Sequence, residues 1–170
     1  MERSNLSRIA IIGVSGAGKS TLANKIGQKL GRKVDHLDMY YWTNKWKERY
    51  SKLGFLRVVT DLQDQEEWII DGNYRKTIDD RFEKATMIIF LDFPKWLCLW
   101  RAFKRIFNTE QPFDKTDGTR ERISWNLVKY ILQYPTKMMR EKVLSHSHNK
   151  KVYIFKDNEE IDEFLKSLCI

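Results

Sequence analysis

The segment Gly13-Val14-Ser15-Gly16-Ala17-Gly18-Lys19-Ser20 is a complete G-x-x-x-x-G-K-[ST] phosphate-binding loop, and its flanks restrict the fold around it. Ahead of it the β-branched run Ile9-Ala10-Ile11-Ile12 predicts a buried strand. Behind it Leu22, Ile26 and Leu30 share one face of a helix. In a strand–loop–helix of this kind, successive backbone N–H groups converge on an anion, and the helix N-terminus adds partial positive charge. Gly13, Gly16 and Gly18 permit the backbone shape and the close phosphate approach that a Cβ would block. Lys19 brings a point charge to the β- and γ-phosphates, and the Ser20 hydroxyl is suited to ligate Mg²⁺. The expected contacts to the phosphates are Gly13, Ser15, Gly16, Ala17, Gly18, Lys19, Ser20 and Thr21, and the expected ligand is a nucleoside triphosphate, ATP with Mg²⁺.

The chain has 170 residues, which predicts a single domain over 1–170 with one core. No apolar run approaches the roughly 20 residues of a membrane span. Residues 1–5 lead directly into the first strand, so no signal peptide is expected and the location reads as cytoplasmic. Cys98 and Cys169 lie far apart in apolar helical patterns and read as reduced core residues. His146 and His148 read as surface polar residues. The net charge of +8 is unevenly placed: between Lys95 and Lys151 there are 13 Lys and Arg against 5 Asp and Glu, and the rest of the chain balances. Such a segment suits nucleic acid, an anionic surface or the phosphates of a small ligand.

Strand and helix signals alternate along the chain. A short strand is predicted over Lys33–Leu37, then an aromatic loop with Tyr40, Tyr41, Trp42 and Trp46, then a helix over Phe55–Gln63. The run from Trp68 to Gly72 predicts a strand ending in a turn, and Met87–Leu91 predicts a fourth. A helix follows from about Lys95 to Phe107, with Trp96, Trp100, Phe103 and Phe107 expected to face inward. Residues 108–119 are polar and read as a loop. A long helix is then expected to place Ile123, Leu127, Ile131 and Tyr134 on one side, with Pro135 kinking or ending it. Val152–Phe155 predicts the last strand, and Asp157 the cap of a final helix. Five short apolar strands separated by helices imply an α/β fold in three layers, a parallel sheet covered on both faces. Ligands of such sheets sit beyond the carboxyl ends of the strands, where Gly13, Asp38, Asp71 and Asp92 fall.

Three motifs resemble the adenylate kinase-like branch of P-loop kinases: the phosphate loop, Ile70-Asp71-Gly72-Asn73-Tyr74-Arg75, and Leu91-Asp92-Phe93-Pro94 followed by Arg101 and Arg105. With His36-Leu37-Asp38 and Trp42, the full length looks most like the adenylate kinase relatives named DNA topology modulation proteins. The resemblance implies a P-loop NTPase fold with a five-stranded sheet of nucleoside/nucleotide-kinase type. It also implies an Arg-rich helical lid, about 108–119, flanked by Arg101, Arg105, Arg120 and Arg122. Without cysteines, that lid is not of the zinc-bearing kind.

In phosphoryl transfer the protein mainly positions two substrates and neutralises charge on the migrating group. Lys19 and the loop amides are assigned to the donor, and Ser20 with a strand-end carboxylate to Mg²⁺. Asp71 is preferred to Asp92 there, because the resemblance places its strand beside the phosphate loop. Arg75 is a candidate bridge between donor and acceptor phosphates. Arg101 and Arg105 would bring cations over the transferred group, and Arg101 also suits stacking on adenine. The acceptor region is expected over about 38–65. An aspartate at position 38 is similar to the one that shikimate, gluconate and nucleoside kinases place by the acceptor hydroxyl. Tyr41, Trp42, Arg57, Gly72, Asn73, Tyr74 and Arg75 complete the expected substrate set. The resulting expectation is a small-molecule kinase acting on a nucleotide, nucleoside or other hydroxylated acceptor. The alternative is an ATP-binding, nucleic-acid-binding protein that modulates DNA topology. No membrane partner is expected, and the sequence does not set the oligomeric state.

Overall fold

The computed structural model describes residues 6–42, 48–107 and 125–168. Five strands form one parallel sheet: β1 (Arg8–Gly13), β2 (Asp35–His36), β3 (Trp68–Asp71), β4 (Met87–Leu91) and β5 (Lys151–Phe155), in the spatial order β2-β3-β1-β4-β5. β1 takes the centre because it is apolar on both faces; all of Ile9–Ile12 is fully buried, as are Ile69, Ile70 and Met87–Phe90 on its neighbours. The register sets Ile11 beside Asp71 on one side and Gly13 beside Leu91 on the other. Both strand-end aspartates therefore flank the loop that leaves β1.

The helices are α1 (Lys19–Leu30), α2 (Leu37–Tyr41), α3 (Lys52–Gln63), α4 (Ile78–Lys84), α5 (Lys95–Phe107), α6 (Trp125–Gln133), α7 (Thr136–Leu144) and α8 (Asn158–Ser167). They cover the sheet on both faces, α1 packing with α8 and α4 and α7 against β1, β4 and β5. The result is the expected three-layer α/β/α arrangement of a P-loop NTPase. No described helix is long and apolar enough to cross a membrane. The Asp157 carboxylate accepts from the Glu160 N–H at 2.9 Å, and the Glu160 carboxylate accepts from the Lys156 N–H at 2.6 Å, which fixes the start of α8 as anticipated.

Three local expectations are corrected. The second strand shrinks to Asp35–His36, because Leu37 already opens α2 and places Tyr40 and Tyr41 on a helix instead of in a loop. The aromatics of α5 do not face inward: Trp96, Trp100 and Phe103 are 70%, 55% and 55% exposed, and Cys98 and Ala102 are buried in their place. The reason is close approach, since a Cβ at Gly16 would lie 2.2 Å from the Cys98 carbonyl oxygen. Only small side chains fit where α5 meets the phosphate loop. The side chain of Phe107 lies outside the described part. The long helix ends before Pro135, as expected, and the Pro135 carbonyl accepts the Met139 N–H at 3.0 Å and so starts α7. Finally, His146 is half-buried, with its ring edge-on to Phe82 and its nitrogens against the Lys142 carbonyl and Glu83. Cys98 is a buried free thiol, as expected.

Candidate active site

The phosphate loop closes by the Ala17 N–H donating to the Val14 carbonyl at 3.1 Å. Gly18 caps α1 in the left-handed region with no side-chain hydrogen bond, so no side chain of its own covers the helix N-terminus. Lys19 curls over the loop and donates to the Val14 carbonyl at 3.3 Å. Ser20, one residue into α1, donates its hydroxyl to Asp71 Oδ2 at 2.7 Å.

Asp71 is buried at the end of β3. His36 pairs with it in the β2–β3 register, and its Nδ1 lies 3.0 Å from the same Oδ2. Burial pushes the Asp71 carboxyl up, but the His36 bond, the Lys19 charge and the Ser20 bond outweigh it and hold the group below the usual carboxylate range. Asp71 Oδ1 is buried and has no hydrogen-bond partner. An ionised, orphaned carboxylate oxygen beside a serine hydroxyl is the oxygen donor set that Mg²⁺ requires, so these residues fit that ion. Asp92 differs. Its Oδ2 is held by the Arg140 guanidinium, through Nε at 2.8 Å and through a terminal nitrogen.

On the acceptor side, Asp38 sits exposed in the first turn of α2 and accepts the Tyr74 hydroxyl at 2.7 Å. Burial, and then the Asp38 charge, push the Tyr74 hydroxyl far above its ordinary value, so it donates as a neutral phenol. Tyr41, Trp42, Phe55 and Tyr74 form an aromatic cluster with centroids 4.6–5.0 Å apart. Gly72 is buried against Leu37, whose Cβ would lie 2.9 Å from any Cβ placed there, at a φ of +141°. The Gly72 carbonyl accepts from Arg81, a fully buried guanidinium pulled down to about 10 by burial, with Asp71 opposing that shift.

The structure thus gathers Lys19, Ser20, Asp71, Asp38, Tyr41, Trp42 and Tyr74 around the carboxyl ends of β1, β2 and β3. Arg101 also comes to the loop. It donates to the Ala17 carbonyl at 3.3 Å and to Asn158 at 3.1 Å, with its guanidinium 4.6 Å from the Phe93 ring centroid. Arg105 is half-buried further along α5. Arg57 on α3 and Arg75 in a 3₁₀ turn (Arg75–Thr77) are exposed. Trp46, Arg120, Arg122 and the expected lid at 108–119 lie outside the described residues. Sequence reasoning missed His36, Arg81, Arg140 and Asn158. Only His36 carried a signal, its place one residue before Leu37-Asp38, and its meaning depends on a strand pairing that no local pattern gives.

Structural comparison places the same fold in two kinases. A shikimate kinase from Acinetobacter baumannii, in complex with shikimate, superposes with a TM-score of 0.60 at 16% identity, covering 96% of this chain and 90% of that one. A gluconokinase from Sinorhizobium meliloti 1021 gives 0.53 at 14% identity, covering 96% and 91%. No curated protein matches by sequence. The NB-ARC domain model matches residues 1–107, the part that carries the phosphate loop, Asp38 and Asp71, and the chain accordingly belongs to the NB-ARC family of P-loop NTPases.

Proposed function

We propose that the protein is an ATP-dependent phosphotransferase that moves the γ-phosphoryl group of ATP to a small hydroxylated acceptor, such as a metabolite alcohol, nucleoside or nucleotide. One observation carries the reading: Ser20 and the unpartnered oxygen of Asp71 stand beside Lys19, and the next strand over delivers Asp38. The superposition on two small-molecule kinases supports the fold of such an enzyme. Within that fold, the Asp-Gly-Asn-Tyr-Arg and His-Leu-Asp segments favour the adenylate kinase relatives named topology modulation proteins.

The loop amides and Lys19 bind the donor phosphates, and Ser20 and Asp71 hold Mg²⁺. When bound, that ion neutralises phosphate charge and orients the transferred group. His36 and Ser20 fix the Asp71 carboxylate so that Oδ1 stays available. Asp38 takes up the acceptor hydroxyl and its proton, and Tyr74 holds Asp38 in place. The aromatic cluster around Tyr41 provides an apolar wall for the acceptor's ring. Arg101 steadies the loop from α5, and Arg75 meets anionic groups from the open side. The test is an acceptor screen with γ-labelled ATP and Mg²⁺ over hydroxy acids, sugars, nucleosides and nucleoside monophosphates. Labelled product absent with Lys19→Ala supports the reading; no label transfer to any acceptor overturns it.

A second reading, nucleic-acid binding, is favoured by the exposed Trp96, Trp100 and Phe103 of α5, with Lys104 5.1 Å from the Trp100 ring centroid. Affinity for single-stranded DNA that falls steeply with salt would support it.

A further inference from the structure

A primary amide offers two N–H donors and two acceptor positions. In Asn73 all four are taken by the protein. Oδ1 accepts from the Gly13 N–H at 3.1 Å and from the Tyr134 hydroxyl at 3.4 Å. Nδ2 donates to the Gly13 carbonyl at 2.5 Å and to the Tyr130 hydroxyl at 3.1 Å. Gly13 itself fixes the orientation of the amide, since its N–H needs the oxygen and its carbonyl needs the nitrogen. Nothing remains for a substrate, so the sequence-based expectation for this residue changes.

The backbone explains why a side chain is needed. The Gly72 N–H makes the last β3-to-β1 bond, to the Ile11 carbonyl at 3.2 Å, and the chain then turns away. Asn73 continues the ladder with its amide and holds both polar groups of Gly13, the residue from which the phosphate loop departs. Its other two partners are Tyr130 on α6 and Tyr134 just past the end of that helix, whose rings meet edge-on at 6.1 Å. One planar group therefore joins the phosphate loop, the end of β3 and α6.

We propose that Asn73 is a positioning residue that holds the first glycine of the phosphate loop and couples nucleotide occupancy of that loop to helix α6. The proposal rests on the loop being a nucleotide site. Phosphates drawn into the nest pull on amides that begin one residue beyond Gly13. A shift of Gly13 cannot occur without moving the Asn73 amide, and the amide cannot move without stretching or releasing two tyrosine hydroxyls.

The test uses the full chain, a non-hydrolysable ATP analogue with Mg²⁺, and amide hydrogen exchange of residues 125–134. In the wild type the analogue should slow exchange in α6 at least threefold. Tyr130→Phe with Tyr134→Phe leaves the bonds to Gly13 intact; it should bind the analogue within about threefold of wild type and lose the slowing. Asn73→Ala should weaken analogue binding at least tenfold and lose the slowing as well. Asn73→Asp, which keeps the acceptor but not the donor, should fall between. Unchanged slowing in the double tyrosine variant overturns the proposal even if Asn73→Ala fails to fold. Tight binding without any effect on α6 in the wild type overturns this coupling alone, whereas no analogue binding in the wild type overturns the nucleotide site with it.

Discussion

At Asp71, burial opposes ionisation and three neighbours favour it, and the neighbours win. The consequence is an anion with one oxygen engaged and one open, next to a hydroxyl. Asp92 ends an apolar strand in the same way, so the two residues are equivalent in sequence, and the preference for Asp71 came from resemblance alone. What separates them is Arg140, 48 residues further on, which occupies Asp92 but has no counterpart on the open oxygen of Asp71. Asp71→Asn is therefore expected to lower turnover about 100- to 1,000-fold, the usual cost of removing one preorganised charge-stabilising group. Asp92→Asn should stay within about tenfold. Steady-state rates over a Mg²⁺ titration check this, and equal losses would remove the distinction. Lys19→Ala should lose turnover by a similar factor to Asp71→Asn while its circular dichroism matches the wild type. The phosphate loop was fully legible in the sequence because its chemistry is local. His36 was not, because a β2–β3 pairing makes its contact with Asp71.

Among the elements, α5 shows most clearly where periodicity misleads. Its large aromatics fall at helical spacing, which ordinarily marks a core face, yet the helix presents Cys98 and Ala102 to the protein. Packing against a backbone loop selects for small side chains, and residue pattern alone carries no information on what a helix packs against. Gly16, at a φ of +85°, is the matching half of that contact. Gly16→Ala should cost about 1–3 kcal/mol from backbone strain, and a comparable amount from overpacking. Urea unfolding should show the loss, and stability within about 0.5 kcal/mol of wild type would disprove the close approach. Trp96→Ser and Trp100→Ser should by contrast leave the unfolding midpoint nearly unchanged, since both indoles are more than half exposed. The cap of α8 was legible because its signals are adjacent in sequence. Asp157→Ala should cost about 1 kcal/mol.

For the whole molecule, the strand order puts β1 between β3 and β4, at whose carboxyl ends Asp71 and Asp92 stand, so one ligand at the phosphate loop touches the sheet, α1 and the β3 turn together. Binding there should stabilise the entire fold as a unit. A ligand present at 100 times its Kd adds about 2.7 kcal/mol. In a chain of this size each kcal/mol raises Tm by about 2–4 °C, so saturating ATP with Mg²⁺ should raise Tm by roughly 5–11 °C. Adenosine, which lacks the phosphates that the loop amides and Lys19 would hold, should give little shift at the same concentration. The variants then separate the contributions of phosphate and metal. Lys19→Ala should lose most of the ATP shift whether or not Mg²⁺ is present. Asp71→Asn should keep the part of the shift that ATP gives without metal and lose the further increment that Mg²⁺ adds in the wild type. An adenosine shift as large as that of ATP would mean that the loop is not where binding energy is gained. A Mg²⁺ increment undiminished in Asp71→Asn would place the ion away from β3.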